Sequence, residues 1–153
     1  LHRRRHSFPT RRSSDLDGTG LSCANGTAKR MDYDTQDYDT DTMWDPGSPS
    51  RIAINTSGTY RIEIGVSLPS AAYTQVDINI RKNSGGASGG GTSLTTYNAT
   101  GATGNTIDFQ RIFDWPLVAG DYYEIFVTQT SGGARTTAAG NLATYAAFTL
   151  IRT

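Results

Sequence analysis

Apolar and polar residues alternate strictly over one stretch near the middle of the chain. From Tyr60 to Leu68 every second residue is apolar, and the residues between them are small, polar or charged. This period of two is that of a half-buried β-strand and does not fit the 3.6-residue period of a helix. We therefore predict a strand over 58–68, preceded by a short strand over 51–56 and a tight turn at Ser57-Gly58.

Later segments repeat the alternation, and turns separate them at intervals of about 8–12 residues, as in a β-sandwich. Further strands are predicted at 29–34, 73–83, 92–100, 105–115, 121–129 and 142–152. Turns are predicted over 69–71 and 116–120, and Arg111 interrupts the apolar row of the strand over 105–115. No segment has a helical period. The predicted fold class is all-β, a two-sheet antiparallel sandwich.

The composition fits one globular domain, with 153 residues, 36% hydrophobic content and 17 Gly. No apolar run approaches the roughly 20 residues that a membrane-spanning helix needs, and no signal peptide is recognisable. Cys23 has no partner cysteine, so we predict no disulfide within the chain and expect an exposed or fraying thiol.

A formal net charge of zero hides an uneven distribution. Residues 1–16 hold five Arg against one Asp, a net charge of +4, and the remainder holds nine basic and thirteen acidic residues, a net charge of −4. A basic arm normally suggests nucleic acid, but residues 6–16, HSFPTRRSSDL, resemble the in-frame translation of a sequencing-library adapter. The mildly acidic remainder is not typical of a nucleic-acid-binding domain.

We therefore divide the chain into three parts. Residues 1–16 are interpreted as an artefactual tail, for which a natural disordered basic tail is the alternative. Residues 17–28 are small and polar, as in a linker or arm. Residues 29–153 contain all the clear strand patterns and form the predicted domain.

The residue types needed for most hydrolytic chemistry are missing from the predicted domain. Both histidines, His2 and His6, lie in the tail, which argues against Ser-His-Asp and Cys-His schemes and nearly all zinc sites. A carboxylate pair such as Glu63 and Glu124 remains formally open, but both are predicted to face outward on strands. The glycine-rich segment 84–91 lacks the Lys-Ser/Thr ending of a P-loop. We predict a protein that is not an enzyme.

Carboxylates are concentrated in the acidic segment, residues 30–50, and hard oxygen ligands suit Ca²⁺. The candidate calcium ligands are Asp32, Asp34, Asp37, Asp39 and Asp41. Because the segment lacks the Gly and the closing Glu of an EF-hand loop, the alternative is a solvated segment whose aspartates bond nearby amides.

Aromatic residues accompany these aspartates. Tyr33 and Tyr38 are candidate ligand-binding residues, since aromatic rings stack on sugars. Alternatively they plug the end of the sandwich, which is our interpretation of Trp44.

Two strands carry aromatic or aliphatic residues on both faces. Tyr122 and Phe126 lie opposite the apolar row of the strand over 121–129, and Tyr145 and Ile151 lie opposite that of the strand over 142–152. Outward aromatics suggest an oligomer interface, with scattered surface aromatics as the alternative. A three-fold ring buries such faces naturally, so these four residues are the predicted interface of a homotrimer.

Several segments, taken in order, resemble the C1q/TNF-like jelly roll. They are MDYDTQDYDTDTMWDP, IAINTSGTYRIEIGVSL, IRKN, LVAGDYYEIFVTQTSG and YAAFTLIR. The resemblance covers about 29–153 and is greatest to versions of the domain at the surface of bacteriophage tail and head proteins. The family's closing Phe-x-Gly-x-Leu appears here as Phe148-Thr-Leu150 without the Gly, a departure from the animal complement branch.

This resemblance implies a ten-strand sandwich in two five-stranded sheets, a tight homotrimer, and ligand recognition on loops or at the trimer apex. It leads us to expect a binding module of a phage virion, at a fibre tip or as head decoration, that recognises host surface glycans or proteins. The alternatives are a structural trimerisation cap and a secreted complement/TNF-like ligand domain. We expect a virion-surface or extracellular location, no nucleic-acid partner, no membrane insertion and no cofactor other than calcium.

Overall fold

The computed structural model describes residues 10–14, 20–100, 104–139 and 143–153, of which the side chains of 10–14, 37 and 38 fall outside the description. Twelve β-strands are found there, and no helix in these ranges is long and apolar enough to cross a bilayer. The strands are β1 Thr10–Ser14, β2 Ser22–Cys23, β3 Lys29–Arg30, β4 Thr35–Asp39, β5 Ile52–Ala53, β6 Gly58–Ala71, β7 Gln75–Lys82, β8 Thr92–Thr100, β9 Asn105–Leu117, β10 Tyr122–Thr130, β11 Arg135–Thr136 and β12 Tyr145–Arg152.

Ten of these strands build two five-stranded antiparallel sheets, and β2 and β11 form a small ribbon. The first sheet has the order β4-β1-β12-β6-β9. The second has the order β3-β10-β7-β8, with β5 also paired to β10. Chain neighbours such as β6 and β7, or β8 and β9, belong to different sheets, as in a jelly roll. The predicted two-sheet antiparallel jelly-roll sandwich is confirmed.

The inward row of β6 is the centre of the core. Its side chains, which are Tyr60, Ile62, Ile64, Val66 and Leu68, are all at most 1% exposed. They share one cluster with Ile78 and Ile80 of β7 and with Ile125 and Val127 of β10. Burying one such aliphatic side chain contributes about 1.5–3 kcal/mol. The strand predicted from strict alternation is therefore the strand on which the two sheets pack.

The turn predicted at Pro69 is wrong, because β6 continues through it, and the turn predicted from Pro116 is found but begins after Leu117, where β9 ends. β6 extends to Ala71, and its register with β9 shifts between Leu68 and Ala71, around Pro69. Pro116 lies inside β9, which is the edge strand of the first sheet, and pairs with Thr59. Proline lacks an N–H, and bulges and edge strands are the places in a sheet that tolerate this.

Residues before 29 take part in the sandwich. The Leu21 amide donates to Thr137 Oγ1 at 2.9 Å, and Cys23 is 0% exposed, so the expectation of an exposed or fraying thiol is wrong. β1 lies between β4 and β12. The origin of residues 1–16 and the three-part division of the chain stay predictions, and His2 and His6 lie outside the described residues.

Gly65 allows the ring of Tyr145 to lie across β6. The two residues pair directly, and a Cβ built on Gly65 would overlap Cε1 and Cδ1 of that ring. We predict that Gly65→Ala displaces the ring and lowers the free energy of unfolding by about 1–3 kcal/mol through overpacking.

Chemical denaturation of the purified protein measures this change. Gly89→Ala is the matched control, since nothing lies within 4 Å of a Cβ built there. Equal losses of stability in the two variants would contradict the prediction.

Candidate interaction surface

The four residues predicted as an oligomer interface lie on two opposite faces of the sandwich. Tyr122 and Phe126 are on the outer side of β10 in the second sheet, because the residues between them, such as Ile125, belong to the core. Tyr145 and Ile151 are on the outer side of β12 in the first sheet. The structure thus brings them together as two pairs and not as one patch.

The protein's own loops cover the outer side of β10. Phe126 is only 3% exposed. The Arg51 guanidinium lies 4.4 Å from the centroid of the Tyr122 ring, and the Tyr122 hydroxyl oxygen accepts a hydrogen bond from the Gly85 amide at 2.8 Å. Both side chains therefore have neighbours within one protomer, and they are poorly placed to meet a second one.

Glu124 connects two loops on this face. The residue is fully buried, at 0% exposure. Its carboxylate accepts hydrogen bonds from Ser50 Oγ at 2.9 Å, from the Gly86 amide at 3.0 Å and from the hydroxyl of Ser84. Ser50 ends the acidic segment, and Ser84 and Gly86 open the glycine-rich loop. One carboxylate thus holds both loops against β10.

Two arginines complete the surroundings of this carboxylate. Arg30 Nη1 lies 3.5 Å and Arg51 Nε lies 3.6 Å from Glu124 Oε1. Burial would raise the pKa of Glu124, but the hydrogen bonds and the charge of Arg30 outweigh burial and lower the pKa below its usual value. The group is therefore ionised at neutral pH and serves a structural role.

The outer face of the first sheet carries rows that cross β12, β6 and β9. The register places Ala147, Glu63 and Ile112 in one row, and Arg61 and Asp114 in the next. Arg61 donates two hydrogen bonds to Asp114, at 3.0 and 3.2 Å. Ile112 is 63% exposed. This face is mixed in polarity and uncovered at Ile112 of β9.

β8 and β9 form an open edge of the sandwich, where aromatic side chains close the gap between the two sheets. The Tyr97 ring lies 5.6 Å from that of Phe109 and 6.0 Å from that of Phe113. The Arg111 guanidinium lies 5.5 Å from the Tyr97 centroid and 4.9 Å from the Phe109 centroid. A cavity of about 900 Å³ opens beside these rings.

The large apolar side chains most exposed to solvent, within the part of the chain that the structure describes, are on β9 and the turn after it. Ile112 is 63%, Trp115 43% and Val118 58% exposed. A second cavity of about 250 Å³ lies between Trp115 and Leu94. Trp115 and Val118 line this cavity together, whereas Ile112 pairs with Glu63 and lies on the outer face of the first sheet. Single exposed apolar residues are normal, but neighbouring ones such as Trp115 and Val118 mark a contact site. The β8–β9 edge and the outer face of the first sheet are therefore the candidate interaction surface.

The aspartates predicted as calcium ligands bond within the protein. Asp32 Oδ1 lies 3.2 Å from Arg30 Nε. The Asp39 carboxylate accepts hydrogen bonds from the Trp44 amide at 2.8 Å and from the Asp41 amide at 3.2 Å. These are the contacts expected of an acidic segment whose aspartates bond nearby amides.

The remaining calcium candidates do not complete a site. Asp34 is exposed, and the side chain of Asp37 lies outside the described residues. In the part of the chain with described side chains, no three His, Cys, Asp or Glu residues come together in a group that could hold a metal ion. Calcium binding by these five aspartates stays a prediction.

The aromatic residues of the acidic segment close the sandwich instead of lining its surface. Tyr33 is 1% exposed and part of the core, so its ring is not available to stack on a sugar. Trp44 packs against the same core, and its Nε1 donates to the Pro49 carbonyl oxygen at 3.0 Å. The side chain of Tyr38 lies outside the described residues.

Comparisons with known proteins show a likeness of fold. No family model matches the chain, and no curated protein matches it. Among solved structures, murine APRIL at pH 5.0 is 8% identical with a TM-score of 0.69, covering 94% of this chain and 99% of that one. Eiger TNF from S. frugiperda is 11% identical with a TM-score of 0.63, covering 94% and 92%. The globular domain of zebrafish complement 1qA is 12% identical with a TM-score of 0.60, covering 95% and 99%.

This chain therefore has the C1q/TNF-like jelly-roll fold, as the sequence predicts. At such low identities the likeness concerns the fold alone. The resemblance to phage versions of the domain is not tested by these structures.

Glu124→Gln tests the role of the buried carboxylate. Removing its charge leaves Arg30 and Arg51 without this partner, so we predict a loss of about 2–4 kcal/mol of stability at pH 7. A lowered folded-state pKa contributes stability above the unfolded value of about 4.3, and this contribution is lost as the pH falls through the folded value. The variant should therefore lose less stability on acidification than the wild type.

Denaturation curves between pH 7 and acid measure both effects. Asp34→Asn is the control, since Asp34 is exposed and no hydrogen bond is found at its carboxylate. The structural role would be wrong if both variants kept the wild-type acid dependence.

Proposed function

We propose that the chain is a non-enzymatic, homotrimeric binding domain of the C1q/TNF-like ligand type, which acts outside cells or on a virion surface. The observation that carries the proposal is the exposure of large apolar side chains on two surfaces, Trp115 and Val118 at the β8–β9 edge and Ile112 on the outer face of the first sheet. The fold likeness to a TNF and to a complement 1qA globular domain supports the ligand-type form of the proposal.

The shape of the candidate surface favours a ring over a two-fold dimer. The β8–β9 edge and the outer face of the first sheet are two different surfaces of one protomer. When one surface of a protomer packs on a different surface of its neighbour, the contact is heterologous, and it forms a closed ring when the rotation between neighbours is a whole fraction of a turn. Three copies with the edge of each on the face of the next would cover Trp115, Ile112 and the cavities beside them.

The arrangement of carboxylates supports a binding role over catalysis. Glu63 lies on the outer face of the first sheet, and Glu124 lies buried under loops on the outer side of the second. The two are on opposite sides of the sandwich, so they do not act together on one substrate. Binding through loops or the trimer apex is what the C1q/TNF-like resemblance implies.

Three narrower forms of the proposal follow from the sequence. The comparisons are with ligand-type proteins, which favours a secreted complement/TNF-like domain over a phage virion module that recognises host glycans or proteins. A structural trimerisation cap without a ligand is the remaining alternative. The three forms share the trimer and differ in what the trimer binds.

Ile112→Asp tests the trimer. A carboxylate in the middle of the proposed contact must be desolvated without a partner, so we predict dissociation of the variant to monomers that keep their β-structure. Light scattering coupled to gel filtration should give three times the 16.5 kDa protomer mass for the wild type. Ser88→Asp, in the exposed glycine-rich loop, is the control and should stay trimeric. A monomeric wild type would remove the trimer from the proposal.

Binding of the intact wild-type trimer separates the three forms. We predict retention on one class of cell surface or glycan when fluorescent trimer is applied to bacterial cells, animal cells and a glycan array. The monomeric Ile112→Asp variant should bind far more weakly, because three linked sites raise avidity by about 10²-fold or more. Binding to animal cells alone favours the ligand domain, and binding to bacteria favours the virion module. A stable trimer that binds nothing would leave the structural cap.

A further inference from the structure

Arg111 is a cation without a carboxylate partner at the β8–β9 edge. It is exposed, its guanidinium lies over the Tyr97 and Phe109 rings, and Nη1 donates to the Gln110 carbonyl oxygen at 3.0 Å. No carboxylate in the described ranges lies within 4.0 Å of it. The aromatic rings hold the charged end of the side chain in place but do not neutralise it.

The nearby carboxylates of β9 are engaged elsewhere. Asp108 accepts a hydrogen bond from Ser67 Oγ at 2.5 Å. Asp114 is the partner of Arg61. The chain's own residues around Arg111 therefore leave its charge available to another molecule.

Glu63 is the matching anion on the outer face of the first sheet. It is half-buried between Ala147 of β12 and Ile112 of β9, and its carboxylate forms no hydrogen bond or ion pair with the described residues. Arg61, two residues away on the same face, interacts with Glu63 electrostatically, but its guanidinium is hydrogen-bonded to Asp114. A carboxylate flanked by an alanine and an isoleucine is partly desolvated already. Any further cover without a cation would be costly.

The register places the two charges at the same height along the strands. Glu63 pairs with Ile112, and Arg111 is the next residue of β9, about 3.3 Å away along the strand. When the edge strand of each protomer runs parallel to the strands of its neighbour's face, the three-fold axis of the ring is parallel to the strands. Rotation about such an axis leaves the height of every residue unchanged. Arg111 of one protomer then arrives level with Glu63 of its neighbour.

We propose that Arg111 and the neighbour's Glu63 form an ion pair that sets the register between protomers. The inference rests on the homotrimer proposed above. The pair is repeated three times per ring, and each copy joins one edge to one face. Because the wrong alignment would bury both charges unpaired, the pair selects one height of contact between the edge and the face.

Charge reversal and charge exchange test the pair. Arg111→Glu and Glu63→Arg each place like charges together, so each should raise the concentration at which half of the trimer dissociates by about tenfold or more. The double variant restores opposite charges and should return within about threefold of the wild type. Sedimentation velocity over a dilution series measures this concentration, and near-UV circular dichroism reports the fold of each variant.

Two controls make the test specific. Lys29→Glu reverses an exposed charge on β3, away from both surfaces, and should leave assembly unchanged. Arg111→Gln with Glu63→Gln removes both charges without reversing either, which keeps the test valid if a reversed variant does not fold. The double variant with both charges removed should weaken the trimer less than Arg111→Gln alone, which leaves Glu63 without a partner.

The outcomes are distinguishable. Recovery in the double variant supports the pair. If the wild type is trimeric and the effects of the two charge reversals on dissociation add up in the double variant, the ion pair is overturned and the trimer is retained. A response at Arg111 with none at Glu63 would do the same, and it points to an anionic ligand at the edge. A wild type that is monomeric at every concentration overturns the trimer itself, and the pair with it.

Discussion

Mutual burial of one face of each sheet is the constraint on which the rest of this structure depends. The inward row of β6 is at most 1% exposed and packs in one cluster with rows from β7 and β10. Because side chains alternate along a strand, this burial also decides what points outward. Once Ile62 and Ile64 face the core, Glu63 must face away from it. The chemistry of both outer faces is thus a consequence of the core.

The outer faces of the two sheets differ in how far the protein's own loops cover them. On the second sheet the acidic segment and the glycine-rich loop fold over β10, and the buried carboxylate of Glu124 holds both by hydrogen bonds. On the first sheet Ile112 remains 63% exposed, and Trp115 is 43% exposed at the adjoining edge. The outer face of the second sheet is covered by loops that polar contacts hold within the protomer, whereas the outer face of the first sheet keeps apolar side chains exposed to solvent. That asymmetry supports assembly through the first sheet.

The sequence predicts the fold better than it predicts the surfaces. Alternation finds β6 to β10 and β12 and the parity of their core residues, because burial imposes a period that is visible in the residues. The same alternation places Phe126 outward correctly, but it does not show that Phe126 is 3% exposed, since the cover comes from residues far away in the chain. Pro69 and Cys23 mislead for the same reason. A bulge and a packed ribbon depend on partners that local sequence does not name.

Residues that break the alternation are the local sequence signal that points to the candidate interaction surface. Arg111 occupies an inward position of β9, where a central strand would not tolerate a charge. At an edge strand the side chain can lie along aromatic rings while its guanidinium meets solvent, and Tyr97 and Phe109 provide those rings. A cation in an apolar row is therefore a local signal that favours an edge strand. The sequence alone does not give the register between strands. The position of Glu63 relative to Arg111 is known only once the alignment of β6 with β9 is known.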